Sequence, residues 1–245
     1  MSSNRLMLLT ITALGIWASL VSAPVQGKSR PSAVVTPGFA PHVFGTIALP
    51  LKKTRFDDRW WRIMRSRPAG ELTSLVRRAR QSPRIDQLRL VNASLNKRIH
   101  YRYDTHPSGD YWSTAGETLS QAAGDCEDYA IAKLHALKAL GVPESDLFMT
   151  VGHDGAAGAI HAVLVARASG QFFILDNRTN DLIPHEQYRG FYPIITFGAR
   201  SSWLHGYEPG EMPAAVRTMN IVVQLGHDLP LGSSRGSAAV RTLGP

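Results

Sequence analysis

The chain has 245 residues, one cysteine and a formal net charge of +8. That length suits a single domain with a substantial core, and a lone cysteine excludes a disulfide within the chain. The charge is uneven: Lys52 to Arg102 carry fifteen Lys or Arg against four acids, and residues 104–245 carry nine against fifteen. A basic half is the kind of surface that attracts acidic partners, phospholipid or nucleic acid, yet Arg77, Arg78, Arg80 and Arg84 are spaced as the polar face of a helix, and a solvated face is the favoured reading.

In chain order, Arg5 precedes an uncharged stretch from Leu6 to Val21. This layout predicts a secretory signal peptide over residues 1–27, cut after Ala23 or near Gly27. An uncleaved membrane anchor is the alternative, although the stretch falls short of the roughly 20 apolar residues of a span. Export to the periplasm follows, and with it no nucleic acid as partner. Residues 28–55, with Pro31, Pro37, Pro41 and Pro50, read as an extended linker. Residues 56–230 read as the folded domain, and 231–245 as a disordered tail.

Within the domain, Trp60, Trp61, Ile63 and Met64, then Leu72, Leu75, Val76 and Ala79, predict helices, as does Ile85 to Lys97. From Leu119 to Leu140 the register changes at Gly124-Asp125. Ala130, Ile131, Leu134, Leu137 and Leu140 then form an amphipathic stripe ending at Gly141 and Pro143. Asp125 is placed as N-cap, Asp128 as the second half of a capping box and Gly141 as the C′ glycine, so Cys126 opens a helix. The period then switches to two, predicting strands at Leu147–Val151, Ile160–Ala166, Gln171–Leu175, Pro193–Phe197 and Ile221–Leu225.

The single thiol of an exported chain is a buried small hydrophobe, a partner-linking group or a nucleophile. A helix N-terminus favours the thiolate, and a thiolate enzyme needs a base oriented by a third polar group. If the turn after Ile160–Ala166 centres on Ala168 and Ser169, His161 stands directly opposite Asp176, near enough for an imidazole–carboxylate contact. Taken singly, His161 also reads as a satisfied strand histidine and Asp176 as a turn residue opening Asp-Asn-Arg-Thr-Asn. Asp125, Glu127 and Asp128 flank the thiol with negative charge, which raises its pKa. They are either solvated or the beginning of a calcium site, since calcium takes oxygen ligands, with Asp146 and Asp154 as nearby candidates. His153-Asp154-Gly155 reads as a loop, His135 as a packing or surface residue, and Trp112 and Trp203 as buried aromatics or a cleft border. No phosphate-cradling glycine loop or zinc spacing is present.

The string GDCEDYAIAKLHALKALGV at 124–142 closely resembles the bacterial transglutaminase-like cysteine proteinase family, which includes the LapG-type periplasmic adhesin proteases. VNASLNKRIHYRYD and DYWSTAGETL lie upstream of it, and HAVLVA and LDNRTNDLIP downstream, in the expected order. The resemblance implies an α+β, papain-like fold with helices packed on an antiparallel sheet. It also implies a cysteine peptidase with the triad Cys126, His161 and Asp176, and calcium held by Asp125, Glu127 and Asp128. Its implied partners are a protein substrate such as a cell-surface adhesin and an inner-membrane receptor. Transglutaminase or deamidase chemistry on the same machinery, and a non-catalytic binding module, remain the alternatives at this point.

Overall fold

A computed structural model of the chain describes residues 41–67, 69–104, 111–208, 210, 211, 214, 216 and 217. The expected signal peptide or anchor, the strand Ile221–Leu225 and the tail 231–245 lie outside these residues. Among the described residues no helix is long and apolar enough to cross a membrane.

The apolar spacings around Trp60, Leu75 and Leu88 become three helices, α1 (Asp57–Arg65), α2 (Thr73–Ala79) and α3 (Arg84–Arg98). After a short strand β2 (His100–Tyr101) come α4 (Ala115–Gln121), β3 (Ala123–Gly124) and α5 (Cys126–Ala139). Thr114 and Glu117 form a reciprocal capping box at the start of α4. At α5 the expected box is only half present. The Asp125 side chain makes no capping bond, whereas the Asp128 carboxylate takes the Asp125 N–H. The predicted C-terminus is as read: Gly141, at φ +80, donates to Lys138 and Val142 donates to Leu137, which is the Schellman arrangement.

The expected amphipathic stripe on α5 is corrected by the structure: every residue from Cys126 to Leu137 is buried. A helix buried all round is a central helix, and α3, α4 and the sheet strands β4 and β5 all pack on it.

That sheet is built from β4 (Leu147–Asp154), β5 (Ala159–Ala168), β6 (Gln171–Leu175), β7 (Ile183–Pro184), β8 (Phe191–Phe197) and β9 (Ser202–Gly206). A further strand, β1 (Ile47–Leu51), pairs antiparallel with β9, giving the order β1-β9-β8-β4-β5-β6-β7. β1 corrects the linker expectation for 28–55 in its described part, where Val43 is also fully buried. Pro50 gave that stretch the look of a linker, but a proline is tolerated on an edge strand, and β1 is at the edge.

Candidate active site

Cys126 is the first residue of α5 and is 1% exposed. Pairing of β6 with β5 extends only to Leu175↔Leu164. Beyond it, the Ala162 N–H is directed to the Cys126 sulfur, as is the Glu127 N–H. The thiol itself donates to Glu127 Oε2 at 3.2 Å. Burial and the Asp125 carboxylate push the thiol up to about 12, against the lowering effect of the two backbone N–H groups.

His161 is the residue before Ala162, so the strand that touches the sulfur also carries the imidazole. Its Nε2 lies 2.8 Å from Asp176 Oδ1, and both residues are buried. The contact forms in a register different from the predicted one. The β5–β6 turn centres on Ser169 and Gly170, at φ +51 and +80, as a two-residue hairpin with positive φ at both central positions requires. This places Asp176 diagonal to His161 rather than opposite it, still within reach of an aromatic side chain. Burial alone would raise Asp176. The His161 hydrogen bond and charge, the Tyr188 hydroxyl at 2.6 Å and the Arg178 N–H outweigh it and hold the carboxyl at about 2. An ionised Asp176 only accepts, so Nε2 carries a hydrogen, and in the neutral imidazole the lone pair is on Nδ1.

Several supporting residues escaped the sequence reading. Asn96 Nδ2 donates to the carbonyls of Asp176 and Thr179 at 2.9 and 2.8 Å, and Asn92 Nδ2 donates to Thr179 at 2.9 Å. Together they tie the loop after β6 to α3. Gly152 is paired with His161; a Cβ there would lie 2.6 Å from the Phe191 ring, which itself meets the His161 ring edge-on at 6.4 Å. An isolated glycine inside a strand pattern was the available signal. Beside His161 a surface groove is lined by Tyr101, Tyr103, Ala159, Ile160, Asn177 and Arg178.

Of the three acids flanking the thiol, the structure gathers two. Asp125 and Glu127, both 0% exposed, meet Asp104, with one ligand atom from each lying within 4.8 Å of the others. Asp128 turns aside: its Oδ1 accepts the Ser113 N–H at 2.8 Å, and its side chain covers Gly124 so closely that a Cβ there would stand 2.5 Å from Oδ2. Burial, with the Asp104 charge adding, raises Asp128 to about 7. Asp104 was missed because only the parallel β2–β3 pairing brings it there: Tyr101 pairs with Gly124 and the chain continues past Asp125. Three carboxylates, two of them fully buried, fit a hard divalent cation such as calcium.

The other expected residues have structural roles. Asp146 pairs with Arg167 at 2.6 Å, and Asp154, at the end of β4 rather than in a loop, pairs with Arg178. His135 packs under the Ile63 carbonyl, and burial and Lys138 push it down to about 4. Trp112 stacks on Phe56 with centroids 5.5 Å apart, and Trp203 packs on Phe148.

The sequence profile described as bacterial transglutaminase-like cysteine proteinase matches residues 68–195, just over half of the chain. Among solved structures, LapG of Legionella pneumophila is 27% identical, with a TM-score of 0.50 over 60% of this chain and 85% of that one. Its calcium-bound form is 24% identical, with a TM-score of 0.51 over 66% and 98% of the two chains. No match was found among curated proteins.

Proposed function

Because the chain belongs to the bacterial transglutaminase-like cysteine proteinase family and is a cysteine peptidase of that type, we propose that Cys126, His161 and Asp176 are its catalytic triad. The observation that carries this reading is the buried His161–Asp176 contact at 2.8 Å on the strand whose next N–H meets the Cys126 sulfur. His161 Nδ1 takes the thiol proton and the thiolate attacks the peptide carbonyl. The imidazolium, held by Asp176, then protonates the leaving amine, and water releases the acyl group. The Cys126 N–H, at the start of a 14-residue helix, is a donor to the oxyanion.

We infer further that Asp104, Asp125 and Glu127 hold calcium, a reading supported by the calcium-bound form of the Legionella pneumophila relative. Its charge would offset the carboxylates that oppose ionisation of the thiol. The proposed setting is the periplasm, as the N-terminal charge and apolar pattern imply, and the proposed substrate is a cell-surface protein.

Comparing surface and periplasmic proteins exposed to the native enzyme or to Cys126→Ala tests the assignment. Fragments should appear only with the native enzyme, activity of the variant should fall by on the order of 10⁴-fold or more, and its thermal transition should stay nearly unchanged. Retained cleavage by the variant, or incorporation of an added amine in place of cleavage, would contradict the peptidase triad.

A further inference from the structure

The groove beside His161 lies between the elements that carry the thiol and the imidazole. On the thiol side, the parallel β2–β3 pairing sets Tyr101 against Gly124, two residues before Cys126. Tyr101 and Tyr103 both line the groove and are each 46% exposed. Their rings meet edge to face with centroids 5.1 Å apart, so they stand as one aromatic wall. Such rings offer an apolar body and a polar tip, the combination that recurs where a protein binds a partner.

On the imidazole side the wall is the edge of β5. Strand β4 covers one side of β5 from Ala159 to Ala166, whereas β6 pairs with the other side only from Leu164 onward. Alternate residues of an antiparallel strand turn their N–H and C=O to the same side. The Ala162 N–H meets the Cys126 sulfur on the side that β6 leaves open, so Ile160, two residues earlier, turns its N–H and C=O to that side as well. Among the described residues no strand pairs with it there. An open strand edge is a template for a further strand. The small side chains of Ala157 and Ala159 keep the groove wide, at a volume of about 410 Å³. Apart from His161, its charged lining residue is Arg178, which is paired with Asp154.

We propose that this groove takes the substrate as an extended strand added to the β5 edge at Ile160, and that Tyr101 and Tyr103 select an uncharged, apolar side chain at a residue flanking the scissile bond. This rests on the triad reading above and adds the class of peptide taken. A peptide laid on the open edge exchanges N–H and C=O bonds with Ile160 and passes between the thiol and the imidazole. Successive side chains of a strand alternate in direction, so one of them faces the aromatic wall. An apolar side chain buries there against two rings and Ala159. A charged one would lose its water, and the lining cation is already taken by Asp154.

A randomised peptide library digested by the native protein, with the cut sites read by mass spectrometry, tests the selection. One position flanking the cut should favour apolar residues over Asp and Lys by roughly tenfold or more in kcat/KM, the factor that about 1.4 kcal/mol gives. Tyr101→Ala and Tyr103→Ala should each weaken that preference, raising KM more than they lower kcat. N-methylation of the preferred residue, which removes a strand N–H, should cost a similar factor. Charged residues taken equally well, or a preference unchanged in both tyrosine variants and in the N-methylated peptide, would overturn the proposal. Should the tyrosine variants fail to fold, Ala157→Leu on the exposed turn narrows the groove instead: bulky apolar residues should then lose their advantage over Ala and Gly, and an unaltered preference would overturn the proposal. Cys126→Ala separates the two claims. Cleavage by that variant would sink the triad itself. An inactive Cys126→Ala beside a native enzyme with no preference, or with no cut in the library, would sink only the groove as the peptide site.

Discussion

The Cys126 sulfur, at a helix start, is held by the Glu127 N–H and by the Ala162 N–H of β5, both of which favour a thiolate, yet burial and Asp125 push the thiol up to about 12. Desolvation and like charge win here because the site is closed to water and the acid is the adjacent residue. The thiol's reactivity therefore depends on neutralising Asp125. Chelation with EGTA is expected to lower both kcat/KM and the thermal transition, since a ligand at a hundred times its Kd stabilises by about 2.7 kcal/mol, and Glu127→Gln is expected to blunt both responses. An enzyme indifferent to chelator in activity and in melting would contradict the cation site. At this scale the thiol and the imidazole are legible because each sits in a patterned element, and the carboxylate because it directly follows one. Asp104 was not, because nothing local to its sequence points to a pairing across more than twenty residues.

At the scale of elements, the β5–β6 hairpin and the start of α5 bring the proposed triad residues together, and α3 fixes the loop that carries Asp176. Asn96 gives one amide to two backbone carbonyls and to Asn180 Oδ1 at 3.2 Å. Replacing it with Leu keeps the volume and removes its donor from the Asp176 carbonyl, while the Thr179 carbonyl keeps Asn92. The expected cost is about 1–3 kcal/mol in denaturant unfolding, with kcat reduced more than KM is raised as Asp176 loses its fixed position. Unchanged unfolding and kinetics would show that the loop is held elsewhere. The hairpin is legible in its alternation, but the alternation alone admits a turn at Ala168-Ser169, one residue before the observed Ser169-Gly170. The positive φ needed at both central residues favours the pair containing glycine. Helix α5 was read as amphipathic because Lys133, His135 and Glu127 interrupt its apolar positions; all three proved buried, where only tertiary contacts could tell them from surface residues.

At the scale of the molecule, β1 closes one edge of the sheet through pairing with β9, more than 150 residues away, and a buried network ties it inward. Thr46 Oγ1 meets His205 Nδ1 at 2.6 Å, His205 Nε2 meets Thr196 Oγ1 at 2.8 Å, and Thr196 meets Thr150 at 2.7 Å. No local pattern near Pro50 announces so distant a partner, which is why β1 was read as linker while β4, β5 and β6 were not. Burial pushes His205 down to about 3, and burial with the Lys138 charge pushes His135 down to about 4. For a base whose folded pKa is depressed, the unfolded chain binds more protons between the folded value and about 6.5. The histidine contribution to stability should therefore fall as pH drops below about 6.5 and level off beneath about 3, at up to about 1.4 kcal/mol per pH unit for each histidine, partly offset by the raised carboxyl of Asp128. Thermal unfolding across pH 3–7 checks this, and a flat profile would contradict it. The whole arrangement makes one claim above the others, that residues 126 and 161, drawn from a helix and a strand, act as one ionising unit. The rate of alkylation of Cys126 by iodoacetamide at neutral pH, read by intact mass on a chain with no other cysteine, measures it directly. The native protein should react at least roughly 10²-fold faster than His161→Ala, and equal rates in the two would contradict the account.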